Sequence, residues 1–289
     1  MRGGVRIPGG EFWMGDAFDE GYEADREGPP RRVSVAAFSA AETTVTNQAF
    51  AAFIKATSHV TTAEQVGDSL VFHLAYEARA AAEGRDGSDI VGQSGGTPWW
   101  LAVAGATWRT PEGRGSSVDR RANHPVVHVS HDDAVAYAAW AGARLLTEIE
   151  WEYAARGGLD RARFPWGDDL LPRGRHQMNT WQGDFPTVNT CEDGWLTTAP
   201  VRSYRPNGYG LWQCSGNVWE WTADWFTSAG EVGEAPPAAG EARVIRGGSY
   251  LCHASYCHRY RVSARTSSEP ASTAGNLGFR IGADSTTAT

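Results

Sequence analysis

Apolar positions recur at helical spacing in three places along the chain. In TNQAFAAFIKAT, residues 46 to 57, Phe50, Phe53 and Ile54 fall on one face, and Thr46 stands where a helix cap belongs. SHDDAVAYAAWAGARL opens with Ser130 and Asp133 at capping-box spacing and predicts a helix ending near Gly142. TEIEWEYAARGG repeats the device with Thr147 and Glu150 and stops at the Gly157-Gly158 pair. Alternating patterns are shorter: RVSVAAF near residue 35, PVVHV near 127 and RVIRGG from 243 predict brief strands.

Between these elements the pattern loosens. The stretch from residue 75 to 96 begins with helical propensity and then fills with Gly, Asp and Ser, which reads as a surface excursion rather than a domain boundary. SAGEVGEAPPAAGEA, residues 228 to 242, is a second soft segment. No internal repeat or low-complexity linker divides the chain. Few helices, short strands and long loops predict an α+β fold, a single compact domain over residues 1–289.

Composition sharpens this picture. Thirty-four glycines and fourteen prolines imply many turns, and thirteen tryptophans supply large anchors for an irregular core. A formal net charge of −8 argues against nucleic acid or an anionic membrane as partner. No apolar run approaches the roughly 18 residues that span a bilayer. The opening MRGGVRIPGGEFWMG lacks the apolar core of a secretory signal, so the expected location is the cytoplasm.

The candidate chemistry lies in GGSYLCHASYCHRYR, residues 247 to 261, where Cys252 and Cys257 stand five apart and each precedes a histidine. On a strand such residues point to opposite faces about 16 Å apart. The sulfurs can therefore meet only if HASY is a loop, and Gly247 and Gly248 suit a close backbone approach. Spacing leaves four readings open. The thiols are plain buried cysteines, two ligands of a structural zinc site, a regulatory disulfide, or a two-thiolate site for a soft ion such as copper(I).

This stretch, with the closing NLGFR (276 to 280), closely resembles the formylglycine-generating enzymes, or sulfatase-modifying factors. The likeness extends through IPGGEFWMGD, FPWGDD, NTWQGDFP, PNGYGLW and GNVWEWTADWF over nearly the whole chain. It implies a variant of the C-type-lectin-like fold with little regular secondary structure, and a monomer. It also implies an activity: oxidation of a cysteine in a Cys-x-Pro-x-Arg motif of a sulfatase to Cα-formylglycine, using copper(I), molecular oxygen and a reductant.

Carried onto this chain, the resemblance makes Cys252 and Cys257 the copper ligands, with Ser249, Tyr256 and Asn276 around them. It gives Trp99, Trp100, Trp219 and Arg261 to the substrate groove. It implies two calcium sites as well. The first takes the side chains of Asn179 and Asp193 with the carbonyls of Thr180 and Trp195. The second takes Glu220 and the carbonyls of Gly216 and Val218, with Gln213 where relatives carry Asn. Cys191 and Cys214 are expected to be free thiols. The rival readings are a catalytically silent, lectin-like peptide-binding module and an iron-dependent sulfoxide synthase. The first has no need of the cysteine pair. The second normally carries a histidine-bearing helical domain, and none of the eight histidines pairs at i, i+4 on a convincing helix.

Overall fold

The structure, a computed structural model, describes residues 4–226 and 242–285; the soft segment 228–242 thus lies, up to residue 241, outside the described residues. The chain begins with β1 (Gly4–Ile7), β2 (Gly10–Met14), β3 (Arg31–Val35) and β4 (Phe38–Ala41), then α1 (Asn47–Thr57) and α2 (Thr62–Val66). Next come β5 (Asp68–Phe72), α3 (His73–Glu83), β6 (Ile90–Gln93), β7 (Trp100–Ala104), α4 (His131–Trp140), β8 (Arg144–Leu145) and α5 (Glu148–Arg156). A long irregular stretch leads to β9 (Trp219–Trp225), β10 (Arg243–Arg246), β11 (Arg265–Ser268), β12 (Leu277–Phe279) and β13 (Ile281–Asp284).

The three periodic stretches are helices, with the expected caps. Thr46 Oγ1 accepts the Ala49 amide at 3.1 Å, and capping boxes close at Ser130/Asp133 and Thr147/Glu150. Gly157 ends α5 at φ 58°. Two expectations are corrected. PVVHV is not a strand, because His128 turns the backbone to φ 59° and breaks the extended run. Residues 75–96 are more than an excursion: they carry most of α3 and all of β6, which pairs with β7 and so fixes the strand bearing Trp100.

Four small sheets result, ordered β1-β4-β13-β8, β11-β10-β9-β12, β2-β3 and β5-β7-β6. The second sheet positions the site. Ile245 pairs across to Trp221 on one side and Thr266 on the other, and Leu277 pairs with Trp219, two residues before Trp221. Alternation therefore puts Trp219, Ile245, Thr266 and Leu277 on one face. Trp221 and Phe279 share that face and join the apolar sides of α1 and α4 in the central core, where Phe50 meets Phe53 and Trp108 at 5.3 Å. Cys252 and Cys257 belong to the same apolar cluster.

Beside this core lies a buried ionic network. α5 turns Glu148 and Glu152 inward, and Arg246 at the end of β10 donates to both, at 2.7 and 2.6 Å. Arg246 also donates to the Val262 carbonyl at 2.7 Å, while Arg156 and Arg265 complete the pairing of the two glutamates. Glu152 is held below the usual carboxylate range by Arg156 and Arg246, although burial alone acts in the opposite direction and is the largest influence. Breaking such a pair from one side leaves a buried charge alone. Arg246→Ala is expected to lower unfolding free energy by about 3–5 kcal/mol. Urea melts check this; a loss under 1 kcal/mol, roughly that of an exposed pair, would contradict it.

Candidate active site

Arg246 is followed directly by Gly247 and Gly248, both in the left-handed region at φ 93° and 72°. A Cβ on Gly248 would stand 2.9 Å from the Arg259 carbonyl oxygen, so glycine lets the two limbs of the cysteine loop meet. Within the loop, the Cys252 amide donates to the Ser249 carbonyl at 2.9 Å and the Cys257 amide to the His253 carbonyl at 2.8 Å. These two turns make HASY the loop that the spacing required. They bring the sulfurs to 2.9 Å, beyond the roughly 2.05 Å of a disulfide bond. All four cysteines are free.

The pair is buried, Cys252 at 1 % and Cys257 at 7 % exposure, yet both line a cavity of 390 Å³. Burial and the bond to Cys257 push the Cys252 thiol up; the hydrogen bond from Cys252 holds Cys257 down against burial, with Arg259 assisting. The two sulfurs lie within hydrogen-bonding distance, and either can donate to the other. The Ser249 amide points at Cys252 Sγ at 3.3 Å, and Ser249 Oγ accepts from Asn276 Nδ2 at 2.9 Å.

Of the residues expected at the copper site and groove, the structure gathers eight in this cavity: Cys252, Cys257, Ser249, Tyr256, Asn276, Trp99, Trp100 and Trp219. The floor is the β9–β12 sheet face with Trp219, Ile245 and Leu277. One wall is aromatic. Tyr256 stacks on Phe185 with centroids 4.2 Å apart and meets Trp99 edge-on at 4.8 Å. Burial, with the two cysteines nearby, pushes the Tyr256 phenol up to about 12, so it keeps its proton at neutral pH. Another part of the lining is hydroxylated, with Thr266, Ser268, Ser272 and Thr273.

Arg261 is the exception. It is 1 % exposed and binds both oxygens of Glu27, at 2.7 and 2.8 Å, outside the cavity wall. Its place as the cavity's cation is taken by Arg259, two residues earlier. Sequence reasoning missed Arg259 because RYR offers two arginines and no period to choose between them. Leu70 and the hydroxylated wall were missed as well, since they come from β5, β11 and the following turn with no shared motif. His253 and His258 do not line the cavity; His253 Nδ1 bonds Ser255 Oγ at 2.8 Å.

The two expected calcium sets differ. Asn179 is fully buried, and its amide donates to the Thr197 carbonyl at 2.8 Å and to Asn217 Oδ1 at 3.1 Å, leaving Oδ1 without a partner. Asp193 is raised by burial although its oxygens accept the Thr180 and Trp195 amides, both at 3.0 Å. An orphaned amide oxygen on Asn179, and a part-buried carboxylate that binds the amide of the next residue, Thr180, are donors of the kind a hard cation takes. Thr180 and Trp195 nevertheless turn amides toward Asp193, and the Thr180 carbonyl accepts from Gln182. In the second set, Gln213 Oε1 is unpartnered, but Glu220 is already neutralised: Arg280 binds both its oxygens, and Trp151 Nε1 donates at 2.8 Å. Gly216 lies against the Asn179 carbonyl, where a Cβ would come within 2.3 Å, and the backbone through Val218 enters β9. This second set does not fit a cation as the first does. Among the described residues, no three His, Cys, Asp or Glu side chains cluster as metal ligands.

Thiol titration of the denatured, copper-free protein is expected to count four reduced cysteines, Cys191 and Cys214 included. In the native protein Cys214, buried and pushed up to about 12, stays unreactive. A count below four contradicts the assignment.

Comparison with known proteins gives the family. The chain is 59% identical over 289 residues to a formylglycine-generating enzyme of Streptomyces coelicolor, covering 98% of this chain and 90% of that one. It is 53% identical to one of Thermomonospora curvata, covering 98% and 94%. The solved structure of PvdO from Pseudomonas aeruginosa superposes with a TM-score of 0.69 at 26% identity, covering 98% of this chain and 94% of that one, and shares the fold. Residues 1–284 match the sulfatase-modifying factor enzyme 1-like domain, and the chain belongs to that family, the family of the formylglycine-generating enzymes.

Proposed function

We propose that this protein oxidises a cysteine within a Cys-x-Pro-x-Arg segment of a sulfatase to Cα-formylglycine, with copper(I) held by Cys252 and Cys257. The observation that carries this reading is the buried sulfur pair on the wall of a peptide-sized cavity. Two thiols 2.9 Å apart, with no cluster of three His, Cys, Asp or Glu side chains among the described residues, suit a soft ion better than zinc or calcium. Copper(I) supplies an affinity for sulfur and a route for electrons to oxygen. Converting a CH2–SH group to an aldehyde removes two electrons, breaks the carbon–sulfur bond and, with water supplying the oxygen, releases the sulfur as hydrogen sulfide; reducing dioxygen to two waters takes two more electrons from a reductant.

The chain's own residues prepare this chemistry. The aromatic wall of Trp99, Trp100 and Tyr256 and the hydroxylated part of the lining hold an extended peptide. Asn276 fixes the Ser249 hydroxyl beside the sulfur pair. Tyr256, whose ring is part of the aromatic wall, would give a proton or hydrogen atom from its phenol oxygen. The apolar surroundings exclude bulk water from the reacting thiol.

Mass spectrometry on a Cys-x-Pro-x-Arg peptide tests the activity. The reduced protein, given one equivalent of copper(I), air and a reductant, is expected to convert the cysteine to the aldehyde. Cys252→Ser and Cys257→Ser are each expected to abolish turnover. No conversion by copper-loaded protein, or retained turnover in either variant, contradicts the reading and favours a silent binding module.

The first calcium set carries a separate expectation. We assign a calcium ion to Asn179 and Asp193, and a chelator should lower Tm in the native protein. Saturation at a hundred times Kd stabilises by about 2.7 kcal/mol, and Tm moves roughly 2–4 °C per kcal/mol. Asp193→Asn should abolish the chelator's effect. A chelator-insensitive Tm in the unmodified protein overturns the assignment.

A further inference from the structure

Arg259 enters the cavity from the same loop as the two cysteines, and among the described residues the cavity wall holds no other arginine, lysine, aspartate or glutamate. It lines that cavity with Cys252 and Cys257, two positions after the second cysteine, and its charge helps hold the Cys257 thiol down. It is also held from behind. Nε donates to Asp25 Oδ2, and the guanidinium carbon lies 4.2 Å from the centre of the Tyr22 ring. Both partners come from the strap of residues 16–27, more than two hundred positions away in sequence.

That strap is fixed independently of the arginine. Asp16 accepts the amides of Phe18, Glu20 and Gly21 at 3.0, 2.6 and 2.7 Å, and Glu27 at its other end binds Arg261. Tyr22 Oη accepts the His258 amide at 3.1 Å, which ties the strap to the cysteine loop itself. Asp25 and Tyr22 thus fix the arginine side chain in the wall of the cavity that both cysteines line.

The electrostatic need for such a group follows from the proposed chemistry. Copper(I) between two thiolates carries a net charge of −1, and both sulfurs are desolvated by the surrounding core. An anion in apolar surroundings is costly unless a fixed cation or donor faces it. A guanidinium remains charged at any working pH and presents several donors in one plane. The Arg259 side chain meets those conditions.

We infer that Arg259, oriented by Asp25 and Tyr22, is a positioning residue that stabilises the copper-bound thiolate pair through its charge. The inference rests on the copper reading above, and the test separates the two. Reduced protein is titrated anaerobically with copper(I) against the chromogenic chelator bicinchoninate, comparing the unmodified chain with Arg259→Met, Arg259→Lys and Cys252→Ser. Loss of a group supporting metal ligands typically weakens affinity about ten- to a hundredfold, and that loss is expected for Arg259→Met. Arg259→Lys, which keeps the charge but not the fork, should recover most of the affinity.

If Arg259→Met fails to fold, Arg259→Gln, a donor without the charge, is read in its place. Unchanged affinity in the neutral variant overturns the inference while leaving the copper site standing. Equal weakening in the lysine and neutral variants also overturns it, because the arginine would then act by shape. If the unmodified protein binds no copper(I), or Cys252→Ser binds it equally well, the copper reading fails and takes this inference with it.

Discussion

The site depends on one clamp. Arg246 ends β10, and its guanidinium reaches Glu148, Glu152 and the Val262 carbonyl at once. The loop that carries both cysteines begins at the next residue and has just closed at Val262. Its entry and exit are therefore held by the same side chain, and that side chain is anchored on α5. Buried ions of this kind add little net stability, since desolvation offsets most of the attraction. What they fix is geometry. A loop with so little regular structure has few backbone bonds to set its path, and the clamp, Gly248 and the two short turns supply what a helix or sheet otherwise would.

Much of the scaffold was legible because its signals are local. Thr46, Ser130 with Asp133, and Thr147 with Glu150 announce three helix starts, and the caps form as written. The inward charge of α5 was not legible. Nothing local marks Glu148, Glu152 and Arg156 for burial; the two glutamates are buried because arginines from distant strands meet them. PVVHV failed for a related reason: its alternation is that of a strand, but the backbone reverses hand at His128, which alternation cannot reveal. α2 is too short to show a period at all.

The site divides in the same way. Cys252, Cys257, Ser249 and Tyr256 sit within nine residues of one another, so one motif names them, and resemblance adds Asn276 and the tryptophans. Arg259 and Arg261 show the limit. Both lie in that motif with the same chemistry, and only the third dimension assigns one to the cavity and the other to Glu27. The strap that makes this choice, Asp25 for Arg259 and Glu27 for Arg261, lies near the other end of the chain. Sequence spacing cannot show which acid meets which base across such a distance.

The central claim is that two sulfurs, and not their neighbouring histidines, form the metal centre. X-ray absorption at the copper edge of the copper(I)-loaded protein tests it most directly. The account predicts a first shell supplied by Cys252 and Cys257 with no imidazole nitrogen, and the sulfur signal should be lost from Cys257→Ser. A nitrogen shell, or a spectrum unchanged by that substitution, would place the metal elsewhere and contradict the account.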